Sequence, residues 1–237
     1  MLRNIDVNVW VAEQPQKYFG LEVGTRMTAI RLSEDKLLVI SPIQTDDRMA
    51  AALNQIGTVS YIIAPNLYHH LYVDQFKQIY PQAQLWSPAA LREKRPDLSI
   101  DKTFEHDYNL QMWDDVKALQ VLGFKTLDMT GASDFNEWVF FHPDSKTLII
   151  TDLAYYFNES SSRIIKLITQ LIGGYQKLRP SLLEKIASRE RSHLKQSIQK
   201  ILTWDFKRVI MAHGGMVDQE AKQQFQQGYE WFLGESL

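Results

Sequence analysis

Leu148-Ile149-Ile150-Thr151-Asp152-Leu153 is the stretch on which the fold turns. The apolar, β-branched run over 147–151 has the composition and length of a buried strand, and it delivers a carboxylate, Asp152, to the strand's end. The turn His142-Pro143-Asp144-Ser145-Lys146 joins it to a strand over 137–141, whose Trp138, Phe140 and Phe141 are expected in a sheet core. Further strands are predicted upstream at 116–122 and 126–129. Downstream the chain turns mostly helical from 160 to 199, returns to a strand at 205–211 and closes with a helix at 218–232. The loop after that last strand is Ala212-His213-Gly214-Gly215, where paired glycines predict a tight backbone beside a cleft.

The first half has a similar rhythm. Val7, Val9 and Val11 alternate with Asn8 and Trp10, a second strand runs over 27–32, and a polar turn at 33–36 leads into a buried strand at 37–40. Strands then alternate with helices. A helix at 46–56 has Thr45 as its expected N-cap, followed by a strand at 59–63, a helix at 71–79, a strand at 81–86 and a helix at 88–94 opened by Ser87-Pro88. Two mixed halves of this kind predict two sheets packed face to face with helices outside. The fold class is α/β (α+β), a four-layer αββα sandwich forming a single domain over 1–237.

Composition sets the outer bounds. A chain of 237 residues with 45% hydrophobic and 23% charged residues is ordinary for one globular domain. A net charge of −2 gives no reason to expect a nucleic-acid or membrane partner. The absence of cysteine excludes disulfides, thiolate metal sites and a Cys nucleophile. Met1-Leu2-Arg3-Asn4-Ile5-Asp6 turns polar too soon for a signal peptide, and the expected compartment is the cytoplasm.

Four short loops carry a resemblance. Met129-Thr130-Gly131, Thr151-Asp152-Leu153 and Ala212-His213-Gly214-Gly215, with Ala64-Pro65-Asn66-Leu67-Tyr68-His69-His70-Leu71 after an early strand, fall where the metallo-β-lactamase superfamily carries its metal-binding loops. The chain resembles that superfamily, in particular its divergent DUF4336-like branch. Active members read T-H-x-H-x-D-H in the early loop. Here Asn66 and Tyr68 stand at the first two histidines and His70 at the aspartate. In a register shifted by one residue, His69 takes the aspartate and His70 the last histidine. Ala132 replaces a third histidine, and Ser41-Pro42 replaces the aspartate that usually ends an earlier strand.

The resemblance therefore implies a degenerate site. One divalent ion (zinc, iron or manganese) would be held by His70, Asp152 and His213, with His69 as a substitute or outer group. A water acidified by that ion would attack an ester, amide or phosphoester. The alternative is a non-catalytic binding protein that kept the scaffold and lost the metals, with a small-molecule pocket lined by Asn66, Tyr68, Tyr155 and Tyr156. Ordinary structural readings stand beside these. His69 and His70 as helix-start residues that cap or pack, Asp152 as a cap, and His213 as a core histidine held by a carbonyl all fit the sequence. Tyr155-Tyr156-Phe157 reads as core or pocket wall, and the helix from Ile164 as a lid or a helix packed on the sheet. His106 is expected in an exposed loop, His142 in a structural turn and His193 on a solvated helix face. Gly131-Ala132-Ser133-Asp134 lacks the G-x-S-x-G setting of a serine nucleophile.

Overall fold

The computed structural model describes residues 1–18, 20–104, 110–113, 116–128, 131–189 and 191–237. The first half contains β1 (Arg3–Asp6), β2 (Val9–Gln14), β3 (Lys17–Tyr18), β4 (Leu21–Glu22) and β5 (Thr25–Arg31). It continues as β6 (Lys36–Ile40), α1 (Asp47–Ile56), β7 (Thr58–Ile63), α2 (Val73–Ile79), β8 (Gln84–Pro88), α3 (Ala89–Lys94) and β9 (Lys102–Phe104). The second half contains β10 (Leu110–Trp113), β11 (Val116–Gln120), the hairpin β12 (Lys125–Asp128) and β13 (Gly131–Asp134), β14 (Trp138–His142) and β15 (Thr147–Ile149). Helices α4 (Arg163–Leu171), α5 (Leu182–Ala187) and α6 (Arg191–Leu202), strand β16 (Arg208–Ile210) and helix α7 (Ala221–Leu233) complete it. His106 and the Met129-Thr130 pair lie outside the described residues.

One sheet has the order β1-β2-β5-β6-β7-β8-β9, antiparallel as far as β6 and parallel from β6 onward. The other runs β10-β11-β14-β15-β16, antiparallel except for the parallel pair β15–β16. Side-chain alternation explains the layering, because successive residues of a strand face opposite sides of its sheet. Leu37 and Val39 of β6 pack outward with Met49 and Leu53 of α1, Val73 and Phe76 of α2 and Leu91 of α3. Leu38 and Ile40 turn inward to meet Trp138 and Phe140 of β14. Val139 and Phe141 of that same strand turn outward to Leu194 and Ile198 of α6 and Phe225 and Tyr229 of α7. Helices, sheet, sheet and helices follow in that order, which is the expected four-layer αββα sandwich.

An aromatic cluster joins the sheets. Phe104 of β9 stacks on Trp138 at 4.5 Å between ring centroids, and Trp113 of β10 meets Tyr61 at 5.4 Å and Trp86 at 5.7 Å. Offset and edge contacts of this kind add to the large apolar area such rings bury.

Three local expectations need correction. The N-cap of α1 is Asp46, whose carboxylate accepts the Met49 amide at 2.8 Å; Thr45 instead donates its hydroxyl to the Ile43 carbonyl. Only Asp46 stands one residue before the first helical position, where a side chain reaches the third amide. The helical region from 160 to 199 is three helices. Gly173, at φ +70°, ends α4, and a capping box of Ser181 and Glu184 restarts the chain as α5 after Pro180. The closing helix begins at Ala221, three residues later than its predicted start at 218.

Phe140 is fully buried between the sheets. Phe140→Ala is expected to lower stability by about 3–5 kcal/mol through lost burial and the cavity left behind. Guanidinium unfolding monitored by circular dichroism measures this; a loss below about 1 kcal/mol would show that the sheet interface is not tightly packed there.

Candidate metal centre

Parallel pairing places two sets of strand ends together. β6 and β7 run side by side, as do β15 and β16, so the chain leaves each pair at the same edge. Ser41 follows β6, Asn66 and His69 follow β7, Asp152 follows β15 and His213 follows β16. Ligand sites in α/β sheets favour such carboxyl ends of parallel strands.

Asn66 organises the cluster. Its side chain is fully buried, and its Oδ1 accepts the amides of Tyr68 and His69, both at 2.8 Å. This is an Asx-type turn, in which the side chain replaces a backbone acceptor and coils the chain. Its Nδ2 donates to Asp152 Oδ2 at 2.8 Å, Thr151 Oγ1 at 3.0 Å and Glu137 Oε2 at 3.3 Å. One amide thus binds the loop after β7 to the loop after β15.

The coiled loop aims His69 inward. His69 Nε2 lies 3.2 Å from Asp152 Oδ2 and 3.2 Å from His213 Nε2, and His213 Nε2 lies 3.3 Å from Asp152 Oδ1. The outer nitrogens are both engaged: His213 Nδ1 donates to the Gly24 carbonyl at 2.6 Å, and His69 Nδ1 meets Ser41 Oγ at 2.7 Å. A carbonyl only accepts, so His213 Nδ1 carries a proton, and Nε2 is the ring nitrogen that faces the cluster. Two imidazole nitrogens and a carboxylate, with the outer ring positions tied down, form a donor set suited to a borderline divalent cation. The separations also agree with the roughly 3.3 Å expected between ligand atoms held at about 2.0–2.1 Å in tetrahedral directions.

Charge is distributed unevenly across this centre. Burial and the neighbouring Asp152 push the Glu137 carboxyl well above the usual carboxylate range, against the opposing pull of backbone amides. Burial pushes Asp152 up as well, but His69 and His213 outweigh it and hold this carboxyl well below the usual range. Asp152 is the ionised member of the pair. Glu137 serves the backbone, accepting the amides of Thr151 at 2.7 Å, Asp152 at 2.9 Å and Leu153 at 3.3 Å.

The loop carrying His213 is held from the first sheet. Buried Arg26 donates to the carbonyls of Met211 and Gly214 and pairs with Glu13 at 2.8 Å. Gly214 is required in this loop: its φ is +78°, and a Cβ would lie 2.4 Å from the Tyr156 carbonyl oxygen.

The expected residues are therefore sorted anew. His69, Asp152 and His213 converge, with one ligand atom from each lying within 4.8 Å of the others. His70, expected as a ligand ahead of His69, turns away: its Nδ1 accepts from Arg95 at 2.9 Å, and burial, then Arg95 and Lys94, push its pKa down to about 4. Adjacent side chains in a coiled turn diverge, and the Asn66 turn selects which one enters. Of the pocket residues, Asn66 is sealed inside. Tyr68 packs on Phe135 at 5.2 Å beneath the Lys94 ammonium, and Tyr156 lies against the second-sheet core. Tyr155 lines a cavity of about 40 Å³, and its ring lies 6.1 Å from that of His213. Ala132 lies exposed on the hairpin strand β13. Sequence reasoning missed Glu137, although a lone acid heading the apolar strand Trp138-Val139-Phe140-Phe141 is itself a signal of a buried charge. It also took Ser41 only as a lost ligand, whereas Ser41 holds the outer nitrogen of His69.

Residues 6–176 match the family described as "Domain of unknown function (DUF4336)". No curated protein matches the chain. Among solved structures, a metallo-beta-lactamase from Pontibacter korlensis is similar at TM-score 0.63 and 13% identity, covering 99% of this chain and 98% of that one. The metallo-beta-lactamase FIM-1 from Pseudomonas aeruginosa, in its mono-zinc form, gives TM-score 0.62 at 11% identity over 98% and 96% of the two chains. A metal-soaked Flv1 flavodiiron core from Synechocystis sp. PCC6803 gives 0.64 at 12% identity, over 99% of this chain and 60% of that one. What is shared at these identities is the fold.

Asn66→Ala removes one amide from a buried network and leaves several donors and acceptors unpaired. It is expected to destabilise the protein by about 3 kcal/mol or more, since each unsatisfied buried group costs roughly 1–3 kcal/mol. Urea unfolding at neutral pH checks this. A change within about 0.5 kcal/mol would mean that Asn66 does not organise the loops.

Proposed function

The chain belongs to the DUF4336 family and is built on the metallo-β-lactamase fold, and from that premise we propose that it is a hydrolase holding a single divalent ion on His69, Asp152 and His213. The observation that carries the reading is the convergence of two Nε2 atoms and one carboxylate, 3.2–3.3 Å apart, with both Nδ1 atoms already engaged. The mono-zinc form of FIM-1, a protein of the same fold, supports a one-ion centre on this scaffold. Two histidines and one carboxylate leave a fourth position open, the pattern of catalytic zinc; iron or manganese is compatible with the same donors.

A divalent ion in such a site supplies Lewis acidity toward a carbonyl or phosphoryl oxygen and toward water. Positioning falls to the chain. The Gly24 carbonyl keeps the His213 proton on Nδ1, and Ser41 fixes the plane of His69. Glu137 and Asn66 hold the Asp152 loop, so the carboxylate is presented without rearrangement. Tyr155, beside His213, gives the site an aromatic wall for a small ester, amide or phosphoester substrate.

One observation favours the other reading, a metal-free binding protein. The His69 and His213 contacts to Asp152 are also ion-pair distances, so one protonated imidazole would satisfy the cluster without a cation. Metal content separates the two. Protein purified without a metal-affinity step is expected to carry close to one zinc, iron or manganese per chain by elemental analysis. His69→Ala, Asp152→Ala and His213→Ala are expected to lose it, and His70→Ala to keep it. Wild-type protein that is metal-free and takes up none of the three ions on addition would overturn the hydrolase reading.

A further inference from the structure

We propose that the surface formed by α4 and α5 docks on an anionic lipid bilayer. Its first mark is a concentration of exposed aliphatic side chains. Along α4, Ile164, Leu167 and Leu171 are 62%, 59% and 79% exposed, while Ile165 and Thr169 on the other side are buried. The spacing i, i+3, i+7 puts the three on one stripe of the helix. α5 repeats the arrangement: Leu182, Leu183 and Ile186 are exposed, and Glu184 and Ala187 face inward. The stripes are neighbours, because Ile172 just after α4 and Leu182 at the start of α5 line one cavity with Lys177 and Arg179. Scattered exposed leucines are unremarked on any protein, but seven Ile and Leu side chains on two adjoining helices form a patch.

Its second mark is charge. Residues 160–191 contain seven Lys and Arg against two Glu, within a chain whose net charge is −2. Arg163, Lys177 and Arg189 are exposed, while Glu184 is buried and engaged with Ser181. Glu159, at the border, is taken up by Lys166 and Tyr175. The whole-chain balance conceals this local excess, which is why composition pointed away from a membrane.

The combination selects among occupants. A two-fold dimer would press the basic patch against its own copy. Protein-interface hot spots favour Trp, Tyr and Arg with Leu under-represented, whereas the exposed apolar groups here are all Ile and Leu. A bilayer with anionic headgroups offers an apolar layer for the aliphatic groups and a negative plane for the cations, and demands no shape complementarity. The association is peripheral: among the described residues no helix is long and apolar enough to cross a membrane. Docked this way, the chain would bring the cavity lined by Tyr155 toward the lipid.

The test is co-sedimentation of the full chain with phosphatidylcholine vesicles, with and without about one quarter phosphatidylglycerol, and with size-exclusion chromatography alongside. Binding is expected to the anionic vesicles, several-fold weaker to neutral ones, and weakened again in about 0.5 M NaCl. Leu167→Ser with Leu171→Ser is expected to lower the partition coefficient by about tenfold or more, since apolar burial drives it. Arg163→Glu with Lys177→Glu is expected to abolish the preference for anionic vesicles and gives a readout even where the serine pair impairs folding. Equal or absent binding to both vesicle types would overturn the proposal. So would a solution dimer that the serine pair dissociates, which would assign the face to a second copy.

Discussion

A carboxylate buried as deeply as Asp152 is tolerated only where surrounding groups favour its charge over its proton, and the loops at this edge of the sandwich are arranged by that demand. Two histidines face its oxygens, and an asparagine amide donates to it. The amides of its own loop turn to Glu137, the carboxyl of the pair that burial drives toward its neutral form. Among the described residues no buried side-chain nitrogen or oxygen lacks a hydrogen-bond partner, so the polar interior is closed as a network. Remove one member and the desolvation of the others is left uncompensated.

Strand order supplies the place for that network. Most of the strand pairings are antiparallel, yet the parallel pairs β6–β7 and β15–β16 occur where the chain must release loops side by side. β5 runs antiparallel to β6, so Gly24 and Arg26 at its start reach the same edge and hold the His213 loop. A scaffold built this way keeps the mouth ordered, and Asn66 shows how: its side chain supports the loops from within, joining the loop after β7 to the loop after β15.

Much of the architecture was legible in the sequence because strand parity is a local property. Leu37 to Ile40 and Trp138 to Phe141 announce strands buried on both faces, and both are. The face-to-face pairing of the sheets is not local; it came from the order of elements and the family resemblance. Asp152 and His213 were legible as strand-end residues. The choice between His69 and His70 was not, because it depends on a turn closed by the Asn66 side chain and on Arg95, 25 positions away from His70. Glu137 was overlooked because its partners are backbone amides after the next strand. The cap at Asp46 was missed by one residue, which is the scale at which helix boundaries are set by geometry and not by pattern.

The histidines at the centre lie 144 positions apart in the chain and belong to different sheets. His213 extends from the second sheet but is pinned to Gly24 and the Arg26 side chain of the first, and His69 extends from the first toward Asp152 of the second. The cluster therefore exists only after the halves have closed on each other, and an unfolded or half-folded chain has no comparable chelate to offer. An ion held there would act thermodynamically as a clasp across the seam, its binding free energy adding to the closed state alone. By the same linkage, any motion that parts the sheets at this edge would release the ion before it exposed the aromatic layer beneath.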